Sequence, residues 1–205
     1  MTTILPRPLD LPEFPWDQLA PAKARATEHP GGICDLSVGT PVDDTPAFIR
    51  EALADASNAH GYPTVIGTAE VRDAILAWGQ RRGMVDVGHG GVIPTIGSKE
   101  AVAWIPALLG VRPGDMVLVP EVAYPTYDIG ARLAGATPVA VDPTNPDAWP
   151  EATLVYLNSP GNPDGHVMSK DELGALPRRR RRLRRVLCGP ALVGALRERG
   201  RALPA

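Results

Sequence analysis

Cysteine is scarce: Cys34 and Cys188 are the two in 205 residues, and their separation fits neither a metal-ligand pair nor the dense disulfide framework of a small secreted fold. A reducing, cytoplasmic setting is expected. No run is long and apolar enough to span a bilayer, and the opening "MTTILPRPLDLPEFPWDQL" lacks the basic-then-apolar order of a signal peptide. Lysine is scarce too for a chain of this size: Lys23, Lys99 and Lys170 are all there are. Beyond Leu176 there is no lysine, aspartate or tyrosine. No internal repeat is visible. The net charge of −2 conceals a split, with 22 acidic and 11 basic side chains in residues 1–176, then ten arginines against one acid, Glu198, in 177–205.

What is present alternates. "PWDQLAPAKARATEHPGG" reads as a short helix closed by Pro-Gly-Gly, and "DLSVGTPVD" as a short strand. "DTPAFIREALADASN" reads as a helix capped by Thr45 with Pro46 in its first turn, and Phe48, Ile49, Ala52, Leu53 and Ala56 share one face. "TAEVRDAILAWGQRRG" is a second amphipathic helix, with Gly83 as its stop. Then follow "GGVIPTIG" (strand), "SKEAVAWIPALLG" (helix), "DMVLVP" (strand), "YPTYDIGARLAG" (helix), "TPVAVD" (strand) and "TLVYLN" (strand). Short apolar strands between helices predict an α/β fold with a mostly parallel sheet covered on both faces. Ligands of such sheets collect beyond the carboxyl ends of the strands.

Three loops lie at such ends. In "TIGSKEAV" a helix begins after a glycine, so its free N–H groups and dipole suit a phosphate. Ser98 there is either a ligand or an ordinary cap with Glu100 in the first turn. In "PEVAYPTY", Tyr124 and Tyr127 either cover a flat ligand or pack the loop. In "NSPGNPDG", Asn158 and Asn162 either donate to an anionic oxygen or only shape the turn.

The order "DLSVGTP", "GYPTVIGTAEVRDAI", "TIGSKEAV", "VPEVAYPTY", "LNSPGNPDG" resembles the N-terminal half of the class I/II, fold-type I pyridoxal-phosphate-dependent aminotransferases. The opening "FPWDQLAPAKARATEHPGGICDLSVGTPVD" looks most like the actinobacterial succinyldiaminopimelate aminotransferases of lysine biosynthesis. The resemblance covers about residues 5–176. It implies an incomplete fold-type I large domain behind an N-terminal arm. It implies that Gly97, Ser98 and the Lys99 backbone bind the cofactor phosphate, that Tyr124 stacks on the pyridine ring, and that Asn162 donates to the phenolic oxygen. Tyr62 would reach the phosphate of a partner subunit in a homodimer, and Gly39 would lie against the substrate. The activity implied for the full-length relative is amino transfer from glutamate to N-succinyl-2-amino-6-ketopimelate. Its substrates are amino acids and 2-keto acids; no nucleic acid or membrane partner is implied. One departure stands at position 164, where Asp replaces the family's Thr and sets a negative charge near an anionic cofactor.

The resemblance also implies three groups downstream of the Asn-Pro loop: a lysine that bonds to the cofactor and moves the proton, an acid for the pyridine nitrogen, and an arginine for the substrate carboxylate. Lys23 lies in the N-terminal helix and Lys99 in the phosphate loop. Lys170 follows Asn162 too closely, and Ser169 with Glu172 predicts a capping box that makes it a first-turn surface residue. The expected division is therefore an arm and small-domain segment (1–35), a partial cofactor domain (36–176) and an arginine-rich tail (177–205), with no catalytic lysine supplied. The tail has the composition of a GC-rich gene read out of frame; the alternative is a basic arm for phosphates. Under the first reading, another frame of the DNA downstream of Leu176 is expected to encode an Asp-Glu-x-Tyr strand end and later a Ser-x-Ser-Lys segment. Sequencing in all three frames checks this, and neither motif appearing rejects it.

Overall fold

The computed structural model describes residues 11–84, 86–175 and 183–188. In chain order they form α1 (Ala20–Thr27), α2 (Ala47–Asp55), α3 (Ala69–Arg81), α4 (Ser98–Leu108), β1 (Met116–Pro120), α5 (Thr126–Leu133), β2 (Thr137–Val141), β3 (Ala152–Leu157), α6 (Lys170–Ala175) and β4 (Leu183–Cys188). They divide into two compact units: Glu13–Arg82 with Gly88–Pro94, and Gly83–Val87 with the chain from Thr95 onward. Most of the expected arginine-rich tail lies outside the described residues.

The first unit is helical. The Thr68 hydroxyl accepts from the Val71 N–H at 3.3 Å and starts α3, and Gly83, with φ 73°, follows its C-cap in the left-handed conformation a glycine adopts at no steric cost. α2 begins differently from expectation. Thr45 makes no cap; Pro46 holds that position, and its carbonyl accepts from Ile49 and Arg50. Phe48 and Leu53, on the expected apolar face of α2, are exposed. Neither "DLSVGTPVD" nor "GGVIPTIG" forms a strand. A strand exists only by pairing, neither segment has a partner among the described residues, and Pro41 and Pro94 interrupt each run with a residue lacking an N–H.

The second unit contains an all-parallel sheet in the order β2-β1-β3-β4. Its two-residue side-chain period sorts the apolar strands into two cores. Val117, Val119, Leu154 and Tyr156 face Val102 of α4 with Tyr127 and Ala131 of α5. Leu118, Val155 and Leu157 face Trp149 and Met168, with Leu173 of α6 packed alongside. β1 and β3 are thus buried on both sides, which is why their sequences run apolar without alternation. Each fully buried Leu or Val contributes about 1.5–3 kcal/mol. The buried Trp149 indole donates to the Asp142 carbonyl at 2.8 Å. Asp115 accepts from the Thr153 hydroxyl (2.7 Å) and the Arg112 N–H (2.8 Å), tying the starts of β1 and β3 together.

α4 and α5 approach closely at Gly130. A Cβ there would stand 3.1 Å from both the Val102 carbonyl oxygen and the Ala103 Cα. The obstacle is backbone, so it cannot swing away. Gly130→Val is expected to lower stability by about 1–3 kcal/mol through overpacking, read as a lower urea midpoint at unchanged slope; an unchanged midpoint contradicts this packing.

Within α4, Pro106 cannot supply the N–H that the Val102 carbonyl would ordinarily accept. The Tyr156 hydroxyl, arriving from β3, donates to that carbonyl at 2.8 Å instead.

Candidate functional site

The chain leaves β1 toward β2 on one side, and β3 pairs on the other. This reversal opens a crevice outside the carboxyl ends of β1 and β3, the place where open α/β sheets bind ligands. The crevice is lined by Pro120, Val122, Ala123 and Tyr127 from one side and by Asn158, Gly161, Asn162, Asp164, His166 and Met168 from the other, together with Pro143.

The loop after β3 is braced by its own backbone. The Gly161 N–H donates to the His166 carbonyl at 2.8 Å, and the Gly165 N–H to the Gly161 carbonyl at 3.0 Å. The Ser159 hydroxyl accepts from Met168 N–H at 3.0 Å. The Asn158 amide, oriented to satisfy both neighbours, donates to the Pro160 carbonyl and accepts from the Asn162 N–H, each at 3.2 Å. Asn158 therefore shapes the turn. Asn162 does not: its carboxamide makes no hydrogen bond among the described residues, and it lines the crevice. Asp164 folds over Gly161, where any added side chain would strike its carboxylate. The Ser159-Pro160 and Asn162-Pro163 bonds are cis.

Gly97 caps α4 with φ 80°, a conformation that excludes most other residues. Ser98 is therefore the first helical residue and not the cap, and its hydroxyl makes no capping bond. The Glu100 carboxylate instead accepts from the Ile96 N–H at 3.2 Å. The ordinary-cap reading of Ser98 thus fails, and an exposed hydroxyl is left at the start of α4. Tyr124 is half-buried and packs against the core beneath α4 and α5; it meets Tyr127 edge-on, with centroids 6.1 Å apart and planes at 85°.

The expected residues do not all share one lining. Asn162 lines the crevice; Tyr124 meets Tyr127 edge-on and is not part of that lining; Gly97, Ser98 and Lys99 form the start of α4. Tyr62 and Gly39 belong to the other unit. Tyr62 is fully exposed, and a Cβ at Gly39 would meet nothing within 4 Å among the described residues. Asp164, His166 and Met168 are crevice residues that the motif reading did not single out as ligands. Their only signal was position, in the same strand-end loop as Asn162.

None of the three lysines lines the crevice. Lys23 pairs with Asp35 at 2.9 Å in the first unit. Lys99 is the second residue of α4. Lys170 opens α6 from the expected capping box: the Ser169 N–H donates to Glu172 at 2.6 Å, and the Glu172 N–H to the Ser169 hydroxyl at 3.2 Å. Those bonds hold the Glu172 carboxyl below its ordinary range. The linkage stabilises α6 above the ordinary carboxylate pKa and is lost as pH falls through the lowered value. Ser169→Ala removes the hydroxyl but keeps the N–H donor, so it is expected to weaken that acid-side dependence without abolishing it, followed by Glu172 titration in NMR. No group of three His, Cys, Asp or Glu side chains is clustered for a metal among the described residues, and no helix among them is long and apolar enough to cross a membrane.

A parallel sheet with its crevice at the β1/β3 reversal, a glycine-capped helix start and an Asn-Pro loop define a fold-type I cofactor domain in part. The family profile "Aminotransferase class I and II" matches residues 32–186, reaching into the arginine-rich segment, and the chain belongs to that family, whose members depend on pyridoxal phosphate. A probable aminotransferase of Mycobacterium tuberculosis is 52% identical over 80% of this chain and 39% of its own length. The 4-dedimethylamino-4-oxo-anhydrotetracycline transaminase of Streptomyces rimosus is 49% identical over 80% of this chain and 46% of its own. Among solved structures, the N-succinyldiaminopimelate aminotransferase of M. tuberculosis is 33% identical with a TM-score of 0.61, covering 71% of this chain and 42% of that one. The chain thus spans less than half the length of these relatives.

Proposed function

We propose that this chain carries the phosphate- and ring-holding part of a pyridoxal-phosphate aminotransferase site, and that by itself it binds the cofactor without turning it over. The observation that carries the reading is the pair of unengaged polar groups, the Ser98 hydroxyl at the start of α4 and the Asn162 carboxamide in the crevice, within a chain of this family. The cofactor, when bound, supplies an electron sink for negative charge on the substrate's α-carbon. Ser98 and the first N–H groups of α4 would hold its phosphate, helped by the dipole. Gly97 would let that phosphate approach the backbone, and Tyr124 would cover the ring. Asn162 would donate to the phenolic oxygen. Tyr62 would serve the phosphate of a second subunit in a homodimer, and Gly39 would face the substrate.

For the activity of the complete protein, amino transfer between glutamate and an N-succinylated 2-keto acid is the reading supported by the likeness to N-succinyldiaminopimelate aminotransferase. A cytoplasmic setting accords with that chemistry. Absence of turnover is supported by the lysine positions, none of which lines the crevice.

The test uses pyridoxine 5′-phosphate, which keeps ring and phosphate but lacks the aldehyde, so that stray reaction with surface amines plays no part. Ser98→Ala is expected to weaken it about tenfold, the effect of removing one hydrogen bond to a charged group. Asn162→Ala is expected to weaken it severalfold while leaving inorganic phosphate binding unchanged. Equal affinity for the parent chain and both variants rejects the assignment.

A further inference from the structure

We infer that the buried pair Tyr127–Tyr156 is a positioning relay, which fixes the Tyr124 ring relative to the α4 start; this rests on the cofactor reading above. Tyr156 is 2% exposed and its hydroxyl is anchored on the Val102 carbonyl. That carbonyl lies one helical turn beyond Ser98, in the same helix. The anchor is specific because Pro106 leaves this carbonyl without its helical partner. Tyr127, itself buried, stacks on Tyr156 with centroids 4.6 Å apart and planes 18° from parallel. Its ring then meets Tyr124 edge-on. Offset stacking followed by an edge contact is the arrangement aromatic quadrupoles favour, and it constrains both the position and the tilt of the outer ring.

The three links come from three segments: the helix that starts at Ser98, the strand that feeds the Asn162 loop, and the loop and helix that follow β1. A flat ligand held by phosphate at one end and covered by Tyr124 needs these segments in register. The relay supplies that register before any ligand arrives, so less rotamer freedom is lost on binding. Tyr156 lies outside the crevice lining, and Tyr127, which also reaches that lining, orients Tyr124 through their edge contact whether or not it touches the ligand. Each acts through Tyr124.

The experiment combines ring mobility with binding. With 3-fluorotyrosine at the four tyrosines and resonances assigned by single Tyr→Phe changes, the Tyr124 fluorine line in the ligand-free chain is expected to be broad and displaced from the free-tyrosine position. In Tyr127→Leu it should sharpen and move toward that position; in Tyr127→Phe, which keeps the stack, the displacement should remain. Affinity for pyridoxine 5′-phosphate should fall about three- to tenfold in Tyr127→Leu, with inorganic phosphate affinity unchanged and Tyr127→Phe restoring it. If Tyr127→Leu does not fold, Tyr156→Phe decides, since it frees only the anchor and should partly sharpen the same line. A Tyr124 line indifferent to both changes overturns the relay. A parent chain that binds neither ligand overturns the cofactor reading and with it the positioning role, even where the line responds.

Discussion

Mixed with pyridoxal phosphate, glutamate and a 2-keto acid, the 205-residue chain is expected to release no 2-oxoglutarate beyond that of the chain with its amines blocked. The reaction needs an amine that bonds the cofactor reversibly and carries a proton between two carbon atoms. Proton transfer by a positioned group alone contributes about 10²–10⁴-fold, and its loss comes on top of the lost covalent link. Lys23, Lys99 and Lys170 are the candidates. One is paired with Asp35, and the others occupy first turns of α4 and α6, outside the crevice lining. Borohydride reduction followed by peptide mass analysis should find label spread over exposed amines in proportion to their exposure. Turnover above the blocked control, with label concentrated on one lysine, would sink this expectation.

The second large effect is on stability. Tyr156→Phe is expected to cost about 1–3 kcal/mol, because it strands the Val102 carbonyl in the core with neither water nor donor. The cause predicts its own remedy. In a Pro106→Ala background the helix regains the missing N–H, and the same Tyr156→Phe change should cost roughly 1 kcal/mol or less. Urea unfolding of the four proteins gives the coupling directly. Equal costs in both backgrounds would mean that the hydroxyl does not stand in for the helix bond.

The bond also has a pH signature. Burial, and secondarily the neighbouring Tyr127, push the Tyr156 phenol above its ordinary value of 10.0. The neutral, donating form is therefore the one that folding favours. Its contribution is complete below the unfolded value and declines as pH rises through the raised one. Tyr156→Phe should remove that alkaline loss.

Local chemistry was legible in the sequence at several places where a residue's partner lay within a few positions. The Ser169–Glu172 box, the glycine stops and the order from α4 to α6 all follow from neighbours along the chain. So did the scarcity of lysine and, through its motifs, the family. Local reading failed at Thr45 and Ser98, where a proline and a positive-φ glycine took the cap positions that hydroxyl residues commonly hold. It failed at 35–43 and 90–97 for a different reason: an extended run is a strand only when another segment satisfies its backbone. Tertiary structure alone decided which strand flanks β1 on each side, and hence where the crevice opens. It also divided the work of the two asparagines, turning Asn158 into the loop and leaving Asn162 to the crevice. Nothing local to Pro106 indicates that a tyrosine from β3 completes its helix. That bond joins groups far apart in sequence, and such pairs are set by how the layers pack.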